Sequence, residues 1–281
     1  MKYKMLVSDL DGTILSGASK VTFEAKRAVE ILDKKGVRFV LCSGRCMVTM
    51  RPFENELNLC RPDQYSIAFN GGMIYETGSG KRLSDIRLPR DLSMEILRVL
   101  RRLGADATVY IGDKLFVERN SIRQDPKDMN KLVGLPEGIE VYTKSTGMPI
   151  TLVDDFDDLD EDFSKILVSG DSDKLKVLDI ETADLAGGRC GKFFSSNWLL
   201  EYCPINAHKG LGVATLCERL GIAQSEVVAM GDYSNDVTML KMAGIGVAVA
   251  NANPDAKAVA DYITKASNDE NAILEVIHRF F

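Results

Sequence analysis

Short apolar runs that end in polar, glycine-bearing turns recur along the chain. Met5-Leu6-Val7 leads into Ser8-Asp9, Val37-Arg38-Phe39-Val40-Leu41-Cys42 into Ser43-Gly44-Arg45, and Val227-Val228-Ala229-Met230 into Gly231-Asp232. Runs this short, bounded by turn residues, predict strands buried on both faces. Between them the apolar period lengthens. Phe23, Ala28, Val29, Ile31 and Leu32 predict a helix ended by Gly36, and Leu211, Ala214, Leu216 and Leu220 predict another closed by Gly221. Strand, helix, strand at this spacing builds a parallel sheet with helices on both faces. Later, residues 245–250 predict another buried strand, Asn253-Pro254 opens a short helix, and residues 268–281 form the last one. Ile67-Ala68-Phe69 followed by Asn70-Gly71-Gly72 predicts a strand and a tight turn.

The middle of the chain follows a different pattern. It predicts a helix over residues 90–103, a strand pair at 107–111 and 114–118, and an irregular stretch carrying Pro126 and Pro136. Strands at 149–153 and 165–170 and a helix over 172–185 complete this segment. The fold class expected is therefore α/β: a Rossmann-like, doubly wound parallel sheet core with an inserted, smaller α+β cap domain. Residues 1–82 and 190–281 form the core and residues 83–189 the insertion. A chain of 281 residues is long for one core and suits two. The acidic run over residues 154–162 reads as a solvated loop or helix start, because it lacks the glycine and terminal glutamate of a calcium loop.

Composition narrows the function. A formal charge of -6, with no basic block, argues against nucleic acid as the partner. The N-terminus is too short in apolar residues for a secretory signal, and the longest later apolar run, residues 243–250, is far short of a membrane span. Six cysteines without a CxxC pair read as reduced thiols, so a cytoplasmic protein is expected. Only His208 and His278 are present, which leaves neither a Ser-His-Asp triad nor a histidine metal site to assemble.

Carboxylates carry the candidate chemistry. Asp9-Leu10-Asp11-Gly12-Thr13 sets two of them two residues apart at a strand end, where Gly12 permits a sharp turn. One carboxylate can attack a charge-neutralised phosphorus while the other exchanges protons with the leaving oxygen and with water. Thr13 offers a hydroxyl and a backbone N–H to phosphate oxygens. Asp-Gly is also a common turn dipeptide, so a merely acidic turn is the other reading. Gly231-Asp232-Tyr233-Ser234-Asn235-Asp236 follows a second strand. With Asp9, Asp232 would offer the hard oxygen ligands that suit Mg²⁺, and Asp236 would brace the metal's waters. Acidic residues offsetting a helix dipole would also explain that cluster. Ser43-Gly44-Arg45 provides a hydroxyl and backbone N–H groups at a helix start, an anion site. Lys209 opens a helix, where the dipole disfavours a cation, so it has either an anionic partner or a place at the surface.

These four segments, in this order, resemble the haloacid dehalogenase superfamily of phosphatases, and most closely its Cof-like group, whose α/β cap lies between the second and third motifs. The resemblance spans the whole chain. It implies that Asp9 is nucleophile and metal ligand, that Asp11 is the acid/base and a ligand through its backbone carbonyl, and that Asp232 is the third protein ligand of Mg²⁺. It further implies that Leu10, Thr13, Ser43, Gly44, Lys209 and Asn235 bind phosphate and that Asp236 supports the metal shell. Members often carry Thr where Ser43 stands, Gly where Asn206 stands, and Ser or Asn where His208 stands; the last departure leaves the role of His208 open. The implied substrates are small phosphorylated metabolites: sugar phosphates, nucleotides or cofactor phosphates. A phosphosugar mutase, a receiver-like phospho-aspartate protein and an inactive scaffold are the competing readings.

Overall fold

The structure, a computed structural model, describes residues 2–121, 123–125, 128–133, 143, 148–183, 188–196 and 198–281. The chain divides into two compact units, one of Met1–Asp85 with Ala207–Phe281 and one of Ile86–Asn206. The first unit begins with β1 (Met5–Ser8), α1 (Phe23–Lys34), β2 (Arg38–Cys42), α2 (Met47–Glu56), β3 (Tyr65–Ala68), β4 (Met73–Glu76) and β5 (Arg82–Asp85). The second unit contributes α3 (Arg90–Arg102), β6 (Ala107–Ile111), β7 (Lys114–Glu118), β8 (Arg123–Asp125), β9 (Asp128–Val133), β10 (Ile150–Val153), β11 (Lys165–Ser169), α4 (Ser172–Glu181), β12 (Cys190–Ser196) and β13 (Leu199–Pro204). The chain then returns to the first unit with α5 (Lys209–Leu220), β14 (Val227–Gly231), α6 (Val237–Met242), β15 (Ile245–Ala248), α7 (Pro254–Val259), β16 (Tyr262–Ile263) and α8 (Ala272–Phe280).

The sheet of the first unit runs β16-β15-β14-β1-β2-β3-β4-β5. Strands β16 to β3 are parallel, and β4 and β5 continue antiparallel. At its centre every residue of β1 and β14 is buried, as the continuous apolar runs predicted. Removing side chains such as Met5, Leu6 and Val7 from water contributes about 1.5–3 kcal/mol each. Helix α1 packs with Ala25, Ala28, Val29 and Leu32, an i, i+3, i+4, i+7 stripe. Phe23 does not join that stripe and is 73% exposed, because it starts the helix directly after the capping hydroxyl of Thr22. Gly36 and Gly221 stand past the ends of α1 and α5 with left-handed backbones, as expected.

The sheet of the second unit runs β10-β7-β6-β11-β13-β12 and is antiparallel except between β10 and β7. Leu92, Ile96, Leu97 and Leu100 of α3 and Leu175 and Leu178 of α4 share one core with Val109, Ile166, Val168 and Tyr202 of the sheet. This is the α+β organisation expected of the insertion. Its C-terminal limit is not residue 189, however. The unit extends to Asn206, because β13 pairs with β11 and β12 with β13, so residues 190–204 are strands of the second sheet. The stretch expected to be irregular contains the antiparallel strand pair β8–β9; Pro126 and Pro136 themselves lie outside the described residues, as do residues 184 and 185 of the helix expected over 172–185. The acidic run forms one 3₁₀ turn in which Asp155 accepts from Asp157 N, while Phe156 is buried and Arg101 and Arg119 pair with Asp155 and Asp154. Among the described residues no helix is long and apolar enough to cross a membrane.

One close backbone contact in the first unit joins the turn after β3 to the start of α5. Gly71 has φ +99°, and a Cβ there would lie 2.4 Å from the carbonyl oxygen of His208. Gly71→Ala should therefore destabilise the protein by about 2–5 kcal/mol, from the left-handed backbone and the overpacking together. Urea unfolding checks this; a loss no larger than that of an ordinary surface substitution would contradict the packing described.

Candidate active site

The strand order 3-2-1-14-15-16 reverses direction between β1 and β14. In open parallel sheets ligands bind outside the carboxyl ends of the strands at such a switch point. Asp9 follows β1 and Asp232 follows β14 there, and Asp9 N donates to Met230 O at 3.0 Å. Residues Leu10–Ile14 then form a wide turn closed by Leu15 N to Leu10 O. Gly12 has φ +77°, and a Cβ on it would lie 2.5 Å from Asp232 Oδ2, so both the backbone angle and the close approach require glycine. Thr13 Oγ1 donates to Asp232 Oδ1 at 2.9 Å, which ties the two strand-end loops together.

Lys209, the first residue of α5, is fully buried. Its ammonium donates to Asp9 Oδ1 at 2.5 Å and to Asp236 Oδ1. The other oxygen of Asp236 accepts from the backbone N–H groups of Asp232 and Tyr233, at 2.9 Å each. Asp236 is thus used up in bracing the loop and the lysine. Asp9, Asp232 and Asp236 each bring a carboxylate oxygen within 4.8 Å of the others. Three carboxylates facing one ammonium leave an excess of negative charge in a buried place. Burial, and then the neighbouring Asp236, push Asp232 up to about 6. Burial also raises Asp9 well above the usual carboxylate range, opposed by Lys209. Burial works against the charge of Lys209, but Asp236 and Asp9 hold its pKa above the ordinary lysine value. Hard oxygen donors with uncompensated charge suit Mg²⁺, and Asp9 and Asp232 have oxygens to offer it.

Other predicted residues stand differently. Asp11 does not join the buried cluster. Its two oxygens accept from Nε and a terminal nitrogen of Arg45, both at 2.6 Å, a bidentate pair. Leu10 has its side chain in the core, so only its backbone could meet a ligand. Ser43 is buried, with Oγ accepting from Arg45 N at 3.2 Å. Gly44 lies against the Asn70 side chain, whose Oδ1 accepts from Asn235 Nδ2 at 3.0 Å. Asn70, left-handed at φ 54°, therefore links the Ser43-Gly44 turn to Asn235. Its Asn-Gly turn was visible in the sequence, but not this bridge. The Arg45 side chain was missed as well; its signal was a cation three residues past a buried strand. His208 caps α5: its Nδ1 accepts from Leu211 N at 3.1 Å, the task that Ser, Thr, Asp or Asn performs at most helix N-termini.

Three comparisons bear on this site. The family model for haloacid dehalogenase-like hydrolases matches residues 6–277. The Bacillus subtilis protein named "Putative phosphatase YxeH" is 30% identical over 279 residues, spanning 98% of this chain and 97% of its own length. The same organism's 5-amino-6-(5-phospho-D-ribitylamino)uracil phosphatase YwtE is 27% identical over 287 residues, spanning 96% and 95%. Among solved structures, a haloacid dehalogenase-like hydrolase from Bacteroides thetaiotaomicron superposes with a TM-score of 0.84 at 29% identity, over 99% of this chain and 100% of that one.

The cap formed by His208 needs a neutral Nδ1, and partial burial lowers the imidazole pKa below its ordinary 6.5. The unfolded chain therefore takes up this proton first, and stability is lost as pH falls below about 6.5 and on through the folded value. His208→Asn retains a capping oxygen that does not titrate. It should match the wild type at pH 8 and exceed it at pH 5; a gap in unfolding free energy that stays constant between these pH values would rule out the titrating cap.

Proposed function

Since the chain belongs to the haloacid dehalogenase-like hydrolase family, and is a phosphoric monoester hydrolase of it, we propose that it acts through an aspartyl-phosphate on Asp9 with Mg²⁺ as cofactor. The observation that carries this reading is the convergence of buried Asp9, half-buried Asp232 and buried Asp236 around one lysine at the switch point of the sheet. Mg²⁺ bound by Asp9, Asp232 and the Asp11 carbonyl would neutralise phosphoryl charge. Asp9 supplies the attacking oxygen: its bond to phosphorus forms as the bond from phosphorus to the leaving oxygen breaks. Asp11 gives that oxygen a proton, then accepts one from the water that opens the aspartyl-phosphate and releases inorganic phosphate. Lys209, Thr13, Ser43, the backbone at Leu10 and Gly44, and Asn235 hold the phosphoryl oxygens. Positioning and charge neutralisation supply most of the rate in such transfers.

The substrates on this reading are small phosphorylated metabolites: sugar phosphates, nucleotides or cofactor phosphates. A relative named for a phosphorylated ribitylaminouracil supports that class. Selectivity should reside in the second unit, acting as a cap. A net charge of -6 accords with small-molecule partners and not with nucleic acid or membrane, and cysteines without CxxC spacing accord with the cytoplasm.

Asp9→Asn keeps the side-chain shape but removes the nucleophile, and should lower phosphate release by about 10³-fold or more. Near-wild-type turnover of a phosphomonoester panel by this variant would eliminate covalent catalysis through Asp9. Chelation should likewise abolish turnover and added Mg²⁺ restore it. Activity indifferent to a chelator would remove the metal from the reading.

A further inference from the structure

The turn that carries Asp11 continues into a tight hairpin. Leu15 pairs with Val21, and Ser16 N donates to Lys20 O at 3.0 Å. Leu10, Ile14, Leu15 and Val21 seat the turn and hairpin in the core, and Thr13 ties the turn to Asp232, but none of these contacts holds the backbone at Gly12 itself. Two distant asparagines meet the turn. Asn251 Nδ2 donates to Gly12 O at 2.8 Å, while its Oδ1 accepts from Asn268 N at 2.9 Å. Asn268, itself buried, donates through Nδ2 to Leu15 O at 2.8 Å. Two residues past Asn251, Asn253 N donates to Asp232 O at 2.8 Å.

We propose that Asn251 and Asn268 are positioning residues, a two-asparagine clamp that sets the Asp11-Gly12-Thr13 turn relative to Asp232. The chemistry selects an amide at residue 251. One end faces a carbonyl and must donate, and the other faces an N–H and must accept; a carboxylate satisfies only the second. In a trans peptide the C=O and the N–H point opposite ways. Anchoring Gly12 O therefore also fixes the direction of Thr13 N–H, away from Asn251. Gly12 has the widest backbone freedom in the turn, so it is the residue at which an external anchor has most effect. The loop of residues 251–253 holds Gly12 through a side chain and Asp232 through a backbone N–H. A shift of that loop would thus move the acid/base and a metal ligand together. The inference rests on the catalytic reading above for what the turn does, but not for the clamp itself.

Asn251→Asp and Asn251→Ala decide the matter, the second without adding charge. With p-nitrophenyl phosphate and Mg²⁺, both should lose about ten- to a hundredfold in kcat, as groups supporting metal-site ligands do, with a smaller change in KM. Peptides covering residues 10–22 should exchange amide hydrogen faster, with the rest of the first unit and the melting temperature unchanged. Asn268→Ala should accelerate exchange over the same residues. Wild-type kcat and wild-type exchange in both Asn251 variants would overturn the clamp. So would a loss that tracks a lowered melting temperature with faster exchange throughout the unit. If the wild-type protein cleaves no phosphomonoester, the catalytic reading fails and the exchange measurements still judge the clamp.

Discussion

An ammonium group without solvent exposure is tolerable only where its charge is met, and Lys209 is met by Asp9 and Asp236. Much of the first unit serves that contact. Helix α5 must begin against the turn after β3, which is why Gly71 and Gly212 meet backbone to backbone: a Cβ on Gly212 would lie 2.8 Å from Gly71 Cα. Asp236 must face inward from the loop after β14, and the N–H groups of Asp232 and Tyr233 turn it there. Once Asp236 and Lys209 are matched, Asp9 and Asp232 remain with negative charge that the one ammonium does not cancel. The lysine fixes the Asp9 carboxylate and at the same time falls two charges short of neutralising the three carboxylates. That excess of negative charge suits a cation with hard oxygen preference.

What was legible in the sequence follows from how local each cause is. Strands β1, β2 and β14 are buried on both faces, so their apolar runs are continuous and announce themselves. The acidic and glycine residues of the site were legible because their chemistry is carried by residue type at fixed spacing. The end of the second unit was not legible. β12 is an edge strand of mixed polarity, and the partner that holds β13 in that sheet is β11, some thirty residues earlier, so no local pattern assigns residues 190–204 to one unit or the other. Hydrogen-bond partners were hidden for the same reason. The Asn70–Asn235 bridge and the Arg45–Asp11 pair join residues 165 and 34 positions apart. The cap by His208 is local, but histidine is not among the residues that usually signal one.

The two carboxylates of the first motif differ by two positions and almost wholly in environment. The side chain of Asp9 is 8% exposed and held by an ammonium, whereas that of Asp11 is 47% exposed and held by a guanidinium. Gly12 makes this divergence possible by reversing the chain straight after Asp11. Environment of this kind divides roles between chemically identical groups. A nucleophile gains from fixed dipoles in place of mobile water, because no solvent shell must reorganise as it attacks. An acid/base gains from contact with water, because it must recover its proton state in every cycle. Asp9 has the first environment and Asp11 the second. Exposure to water suits the proton carrier proposed at residue 11, but the Arg45 guanidinium favours its ionised form, so that pair must open before Asp11 can donate.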